Sequence, residues 1–336
     1  MQEHDVPLHD LVSRKYEAGI AAQKLSFSPT ELAIIHTASS LPFQLRYCPS
    51  LNKKPVQKRA ASNEPVEKKV DPFADPDPDL LIDKIPRGAP SHFLVLNKYP
   101  IIKNHFILAT VIDKPQTYLL ELDDLLQTYK LLRSWSSEGR RLYAFFNSGP
   151  FSGASQPHRH LQFLPVESMD GDDSQLAWAP LIDSIIASPV EKAGKLAHAA
   201  RFKVLPSLPC SHFGLPISED CSFGNIYHVY RRLINHCGDQ VQSPETTNSP
   251  SSFDGPVPFS YNLGMVEGGM VICPRSNEGA PTLDANGTVA GTACFNGTLL
   301  AGTLMVKNQE EWDALKRNPT QMDDILYSIG VPSTSS

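Results

Sequence analysis

Short apolar runs with strand-like alternation occur in this chain beside segments whose apolar residues recur at helical spacing. Residues 92–97 and 105–112 are rich in β-branched and aromatic side chains and are joined through a turn, which predicts an antiparallel pair of strands. Residues 121–138 carry one apolar stripe, with Asp123 and Asp124 in the first turn, and this pattern predicts a helix. The first half of the chain therefore predicts strands packed against a helix.

The second half repeats this mixture of elements. Residues 222–236 have the pattern of an amphipathic helix, and Gly238 is the C-cap that would end it. Strands are predicted at residues 261–266, 270–273 and 298–306. Hydrophobic patterning alone therefore gives an α+β fold with an antiparallel sheet.

Three segments lack the apolar residues that a packed core requires. Residues 52–70 are charged and residues 243–258 are rich in proline and serine, so both are predicted to be flexible surface loops. Residues 331–336 are predicted to be a disordered tail. The remaining chain, residues 1–330, is long enough to form a single domain with a sizeable core.

Composition narrows the class of protein. A hydrophobic content of 41%, a charged content of 20% and a net charge of −6 are ordinary for a globular protein and argue against a nucleic-acid partner. The N-terminus is polar and acidic, and the sequence has no apolar run of membrane-spanning length, so neither a signal peptide nor a membrane partner is expected. Six scattered cysteines without a Cys-x-x-Cys pair are typical of reduced thiols, which predicts a cytoplasmic protein with the nucleus as a second location.

One stretch combines a small-residue loop with a pair of histidines: Gly149-Pro-Phe-Ser-Gly-Ala-Ser-Gln-Pro-His-Arg-His-Leu-Gln-Phe-Leu164. Its first half has no bulky side chain between Ser152 and Gln156, so backbone N–H groups can approach an anion closely. Its second half alternates as a strand does, which would place His158, His160 and Gln162 on one side. An anion cradle that runs into two imidazoles is what nucleotidyl transfer through a phosphohistidine requires.

The pattern by itself leaves three interpretations open. Two histidines at this spacing could catalyse, could share a metal ion, or could simply lie on the solvated face of a sheet. The Ser/Gly/Gln run favours phosphate chemistry, because a metal site has no use for it.

His158-Arg-His160-Leu-Gln162 resembles the His-x-His-x-Gln motif of the histidine-triad superfamily, in the branch where Gln replaces the last His. The longer string 152–162 is similar to the fungal diadenosine tetraphosphate phosphorylases, or ATP adenylyltransferases. This resemblance implies a histidine-triad-like antiparallel sheet with flanking helices as the core, at about residues 80–166. A C-terminal α/β portion of the same domain, at about residues 200–330, would extend it.

The resemblance also implies roles for individual residues. The family reaction cleaves diadenosine tetraphosphate with inorganic phosphate, giving ATP and ADP through an adenylylated histidine. His160 would be the nucleophile, Gln162 a neutral donor to a phosphate oxygen, and His158 a residue that shapes the strand and the phosphate environment. Substrate binding would fall to Lys54, Asn97, Lys98, Asn147, Ser152, Gly153, Ala154, Ser155 and Gln156.

A C-terminal segment, residues 296–307, resembles a substrate-binding element of the family. Asn296 and Lys307 agree with the family pattern, whereas Gly297, Thr298 and Thr303 differ from it in residue type. The resemblance therefore implies five further substrate-binding positions, with side-chain contacts in doubt at the three that differ.

The expected partners are dinucleoside polyphosphates, ATP, ADP and inorganic phosphate. No covalent cofactor and no protein-bound metal are expected, and a divalent cation, Mg²⁺ or Mn²⁺, could accompany the nucleotide. Two alternatives stay open: a dinucleotide-binding protein with impaired catalysis, and a histidine-triad hydrolase, which Gln162 disfavours because an amide cannot carry a proton. A uridylyltransferase of galactose 1-phosphate is disfavoured because its metal-binding cysteine pair is missing and Arg159 replaces its proline.

Overall fold

The computed structural model describes residues 6–50, 70–136, 139–170, 178–189, 202–218, 220, 223–241 and 255–331. The predicted loop at 52–70 lies outside these residues except for Val70, and so does most of the predicted loop at 243–258 and of the tail. Lys54 also falls outside them. No helix in the described ranges is both long enough and apolar enough to cross a membrane.

Seven helices occur in the described part of the chain. They are α1 (Leu8–Ala21), α2 (Leu122–Ser136), α3 (Val166–Met169), α4 (Leu181–Ala187), α5 (Phe223–Val241), α6 (Gln309–Arg317) and α7 (Gln321–Ile329). A 3₁₀-helix adds a short turn at Gly297–Ala301.

Thirteen strands form the sheets of the same described residues. They are β1 (Glu31–His36), β2 (Pro42–Tyr47), β3 (Leu81–Ile85), β4 (His92–Leu96), β5 (Phe106–Thr110), β6 (Leu142–Ser148), β7 (His160–Pro165), β8 (Phe213–Pro216), β9 (Ser260–Val266), β10 (Gly269–Arg275), β11 (Gly279–Leu283), β12 (Val289–Cys294) and β13 (Thr303–Val306).

One eight-stranded sheet organises the molecule, in the order β3-β4-β5-β7-β6-β9-β10-β8. Every neighbouring pair in it is antiparallel. A second sheet has the order β1-β2-β13, and β11 with β12 forms a separate hairpin. The α+β fold with antiparallel sheets and flanking helices is therefore confirmed, including the predicted pairing of β4 with β5.

Two apolar layers cover the large sheet. On one face, residues of α1, α2 and α5 pack on the sheet in the larger hydrophobic core. On the other face, the 3₁₀-helix and α4 pack over β6, β9 and β10, and α6 and α7 continue the same core over the hairpin of β11 and β12. Over β4 and β5 that second face carries a smaller cluster that includes Phe73, Ile107 and Ala109. The second layer is therefore heaviest on one half of the sheet, and β7 lies at its border.

Two predicted boundaries are wrong. Gly238 does not end α5, which continues to Val241 because Cys237 and Val241 still pack on the larger core. The predicted strand at residues 298–306 is a strand only in β13. Its first half is the 3₁₀-helix, which begins where Asn296 accepts a hydrogen bond from the backbone of Thr298 and ends at Gly302 with φ +68°. An apolar run does not distinguish a buried helical turn from a buried strand.

Candidate active site

The two faces of the histidine strand differ as the alternation predicts. Leu161 and Phe163 lie in the larger core, whereas His160 and Gln162 project from the opposite face. Arg159 points away from the histidines and binds Asp124 of α2, with 3.0 Å between Nη1 and Oδ2. The strand is therefore anchored on one side and presents its polar groups on the other.

Hydrogen bonds fix the ring of His160 in one orientation. Its Nδ1 lies 2.8 Å from the carbonyl oxygen of His158. A carbonyl can only accept, so Nδ1 carries the proton and Nε2 keeps its lone pair. Gln116 holds the backbone of the same residue, because its Oε1 accepts from the N–H of His160 at 2.7 Å and its Nε2 donates to the C=O at 3.1 Å.

Burial keeps this imidazole neutral. The pKa of His160 is lowered to about 4, chiefly because burial disfavours the charged ring. The hydrogen bond to the carbonyl of His158 opposes this shift, the charge of His158 adds to it, and the carboxylate of Asp71 opposes it. The ring of His160 is therefore unprotonated throughout the neutral pH range.

His158 occupies a different environment although it lies two residues away. Its Nδ1 is 2.6 Å from Oδ2 of Asp71, and its Nε2 is 2.7 Å from the carbonyl oxygen of Thr110. The hydroxyl of Thr110 lies 3.0 Å from the same Nε2, so protein groups occupy both ring nitrogens and neither is free to attack phosphorus. The ring of Phe73 packs against both histidines, with centroid distances of 5.6 and 5.1 Å.

The same neighbourhood contains the residues best placed to hold a metal ion. Within the described residues, potential ligand atoms of Asp71, Asp113 and His158 lie within 4.8 Å of one another. The ring nitrogen of His158 that faces this group donates a hydrogen bond to Asp71, so it offers a proton here and not a lone pair.

The small-residue loop before β7 is folded back on itself and on the C-terminal part of the chain. The hydroxyl of Ser152 donates to the carbonyl of Gly149 at 2.7 Å, and Ser152 is fully buried. Gly153 has φ +75°, and a Cβ there would lie 2.8 Å from the Cβ of Asn296. Ala154 and Ser155 are exposed at the surface. Residues 152–156, called the bend below, are thus packed against the C-terminal part of the chain. The tip of the bend faces solvent.

Asn147 joins this loop to the C-terminal element. Its Oδ1 accepts from the backbone N–H of Gly297 at 2.7 Å and from Nδ2 of Asn262 at 2.9 Å. Asn262 also donates to the carbonyl of Ser152 at 2.8 Å, and its own Oδ1 accepts from buried Arg275. These contacts, in a nearly fully buried position, make Asn147 part of the framework that shapes the bend.

Some of the residues implied by the family resemblance lie together, and others do not. Asn97 hydrogen-bonds to His105, which hydrogen-bonds to Gln162, so Asn97 belongs to the site. The side chain of Thr298 donates to the carbonyl of Thr303, and both threonines are buried.

The remaining implied positions are at the surface. Gln156 is half-buried at the end of the bend, whereas Lys98 and Lys307 are exposed. Lys307 follows β13, which belongs to the three-stranded sheet and not to the sheet that carries the histidines.

Several residues that shape the site were missed by sequence reasoning. Gln116, His105, Asp71 and Phe73 come from segments far from the motif, and Asn262 lies on a different part of the sheet. Asn262 was a signal, because it lies inside the strand predicted at residues 261–266 and a polar group in a buried strand needs hydrogen-bond partners. Its partners, however, are set by strand order.

The fold and site together define a nucleotide-binding transferase. The family model of the Ap4A phosphorylase N-terminal domain matches residues 2–184, more than half of the chain, and that of the ATP adenylyltransferase C-terminal domain matches residues 206–332. The chain therefore belongs to the Ap4A phosphorylase family, and the resemblance read from the motif is confirmed.

Individual relatives agree with this assignment. The chain is 28% identical to Protein APA1 of Saccharomyces cerevisiae over 341 residues, covering 97% of this chain and 94% of that protein. It is 27% identical to diadenosine 5',5'''-P1,P4-tetraphosphate phosphorylase 2 of the same yeast over 317 residues, covering 87% and 85%. The crystal structure of yeast Ap4A phosphorylase Apa2 has the same fold, with a TM-score of 0.76 and 23% identity over 97% of each chain.

Proposed function

We propose that this protein cleaves diadenosine tetraphosphate with inorganic phosphate to ATP and ADP, through an adenylyl group carried on His160. The observation that carries the proposal is the hydrogen bond from Nδ1 of His160 to the carbonyl of His158, which leaves Nε2 unprotonated and able to attack phosphorus. A curated yeast relative is named as a phosphorylase of this dinucleotide, and solved structures of the yeast enzyme hold Ap4A or AMP.

The first half-reaction is an in-line displacement at phosphorus. Nε2 of His160 forms a bond to the α-phosphorus while the bond from that phosphorus to the bridging oxygen breaks, and ATP leaves with the electron pair. The adenylylated ring carries a positive charge. The carbonyl of His158 stabilises that charge through the Nδ1 proton, and the carboxylate of Asp71 stabilises it through space.

The second half-reaction regenerates the ring. An oxygen of inorganic phosphate attacks the phosphorus, the P–N bond breaks, and ADP leaves with neutral His160 restored. Phosphate is the acceptor in this proposal because Gln162 cannot take a proton from water, whereas a phosphate anion needs no general base. We interpret His158, His160 and Gln162 as a histidine-triad motif in which Gln replaces the last histidine.

The accessory requirements are proposed on chemistry alone. A divalent cation, Mg²⁺ or Mn²⁺, would accompany the polyphosphate and neutralise its charge, without a dedicated protein site. The scattered cysteines support a cytoplasmic location in this proposal.

Trapping of the intermediate tests the role of His160. The protein is incubated with adenine-labelled diadenosine tetraphosphate without phosphate, quenched, and digested to locate the label. We expect label on His160 and none in the His160→Ala variant, with the variant shown by circular dichroism to be folded. Retained labelling in His160→Ala would remove this residue from the nucleophile role.

A further inference from the structure

Gln162 can present two different groups to a ligand. Its side chain is half-buried on the same face of β7 as His160. An NH₂ group turned toward the ligand would donate to a phosphate oxygen, whereas a carbonyl turned the same way would repel it. The orientation of this amide therefore decides whether Gln162 helps or hinders the reaction.

One backbone group fixes the direction of a hydrogen-bond chain that reaches Gln162. The N–H of Tyr99 lies 2.9 Å from Oδ1 of Asn97. A backbone N–H can only donate, so this atom of Asn97 must be the oxygen. The NH₂ group of Asn97 then faces Nδ1 of His105 at 3.1 Å, and that ring nitrogen must accept.

The tautomer of His105 follows from this contact. A neutral imidazole that accepts at Nδ1 carries its proton on Nε2. That nitrogen lies 3.0 Å from Oε1 of Gln162, so the ring donates to the amide oxygen. The NH₂ group of Gln162 is then the end that is left to face a ligand.

The sheet places Asn97, His105 and Gln162 close together, at the three adjacent strands β4, β5 and β7. Asn97 follows β4, His105 precedes β5, and the backbone N–H of Asn97 donates to the carbonyl of His105 at 3.0 Å. Ile107 pairs with Gln162, so His105, two residues before Ile107, is a diagonal neighbour of Gln162 on the same face of the adjacent strand. His105 is 7% exposed, and a buried hydrogen bond of this kind is stronger than one in water.

The geometry points to His105 and Asn97 as positioning residues that turn the amide nitrogen of Gln162 toward the substrate. This inference rests on the proposed function, since it concerns the donor to the reacting phosphate. Asn97 thus has a role different from the direct nucleotide contact that the family resemblance implies. Its oxygen and its nitrogen are both used inside the protein.

The tautomer can be observed without any activity. The full-length protein is prepared with ¹⁵N-labelled histidine, and the His105→Gln variant identifies the ring signals of His105. We expect a protonated Nε2 and an unprotonated Nδ1 at neutral pH in the absence of substrate. A ring protonated at Nδ1 would overturn the inference, whether or not the protein proves to be a phosphorylase.

A double-mutant cycle tests the function of the relay. We expect His105→Leu to lower the saturating rate of adenylylation about 10- to 100-fold, in the range of a lost transition-state donor, while KM changes less than about threefold. In a Gln162→Ala background the same change should have almost no further effect, because His105 acts through Gln162. Multiplicative losses in the double variant would show an independent, merely structural role.

The conservative variant supplies the rescue. In His105→Gln the amide oxygen can accept from Asn97 and the NH₂ group can donate to Gln162, so we expect a rate within about fivefold of the unmodified protein. A rate as low as that of His105→Leu would contradict the relay. Failure of the proposed function would appear separately, as an unmodified protein that neither becomes adenylylated nor turns over.

Discussion

Nδ1 of His160 donates its proton to a backbone carbonyl, and the ring lies buried beneath Phe73. His158 has the same side chain, but Asp71 and Thr110 occupy both of its nitrogens. The local hydrogen bonds, and not the residue type, therefore decide which histidine can attack phosphorus. This distinction supports the proposed assignment of His160 as the nucleophile and of His158, two residues earlier, as a supporting residue.

The lowered pKa of His160 predicts the pH dependence of the first half-reaction. Because burial lowers this pKa to about 4, the nucleophile stays unprotonated as the pH falls through the usual range of histidine. We expect the single-turnover rate of adenylylation to remain within about twofold between pH 8 and pH 5.5. Rapid-quench measurements without phosphate would test this, and a half-loss near pH 6.5 would contradict it.

Gly153 tests the packing beneath the bend. A Cβ at this position would lie 2.8 Å from Asn296 and from the carbonyl of Phe295, and the positive φ adds strain. Gly88 is the matched control, since it has φ +87° and a Cβ added there would meet nothing within 4 Å. We expect Gly88→Ala to lose about 1 kcal/mol of stability with normal activity.

For Gly153→Ala we expect a stability loss at least ~1 kcal/mol larger, together with a raised KM for the dinucleotide. Urea unfolding and steady-state kinetics give both quantities. Equal behaviour of the two alanine variants would mean that the C-terminal element does not shape the bend.

At the scale of elements, an ion pair ties the histidine strand to α2. Nη1 of Arg159 lies 3.0 Å from Asp124 and 2.9 Å from Glu121, and His92 also hydrogen-bonds to Asp124 at 2.9 Å. Burial would raise the pKa of Asp124, but the hydrogen bond from His92 and the charge of Arg159 hold it below its ordinary value. The helix and the strand thus depend on each other.

Removing Arg159 should therefore be costly. Arg159→Met leaves a buried carboxylate without one of its partners, and we expect a loss of about 3–5 kcal/mol in the free energy of unfolding. Arg133→Met on α2 is the control, because Arg133 and Glu267 form an exposed ion pair at 3.7 Å. This variant should lose under ~1 kcal/mol in the free energy of unfolding. Comparable losses in denaturant unfolding would contradict the structural role of Arg159.

Local sequence patterns predicted the presence of helices and strands better than the residues at which they begin and end. The helix predicted at residues 121–138 and the strands around the motif were found because their apolar residues follow one clear period. The end of α5 at Gly238 and the 3₁₀-helix after Asn296 depend on long-range packing and on a side-chain cap. Such features are decided by contacts between distant residues.

The same limit applies to the site. The motif identified His158, His160 and Gln162 because all three lie in one short string. It could not identify Asp71 or Gln116, whose contacts with the histidines exist only because the strands are arranged in this order. The residues of the motif could thus be predicted from the sequence, whereas the distant residues that hold them in place could not.

At the scale of the whole molecule, three buried groups couple stability to pH. Burial lowers the pKa of His160 and of His212 to about 4, below the value near 6.5 of an unfolded chain. Between these values the unfolded chain binds two more protons, so stability falls as the pH drops. Glu311 opposes this effect, because burial raises its pKa to about 7 and the folded chain then holds one more proton.

The net difference is about one proton between pH 6.5 and 4.5. We therefore expect the free energy of unfolding to fall by about 1.4 kcal/mol per pH unit on acidification across this range. His212→Gln removes one of the two histidine contributions and should leave a nearly flat profile. Urea titrations at several pH values provide the test, and an unchanged slope in the variant would contradict this assignment of protons.

Analysis of the reaction products is the sharpest test of phosphate-dependent cleavage. The full-length protein is mixed with diadenosine tetraphosphate in the presence and absence of inorganic phosphate, and nucleotides are separated by chromatography. We expect equal amounts of ATP and ADP, formed with phosphate and not sustained without it. ATP with AMP at a rate independent of phosphate would show a hydrolase, and binding without turnover would show a nucleotide-binding protein. Either result would contradict phosphorolysis by this protein.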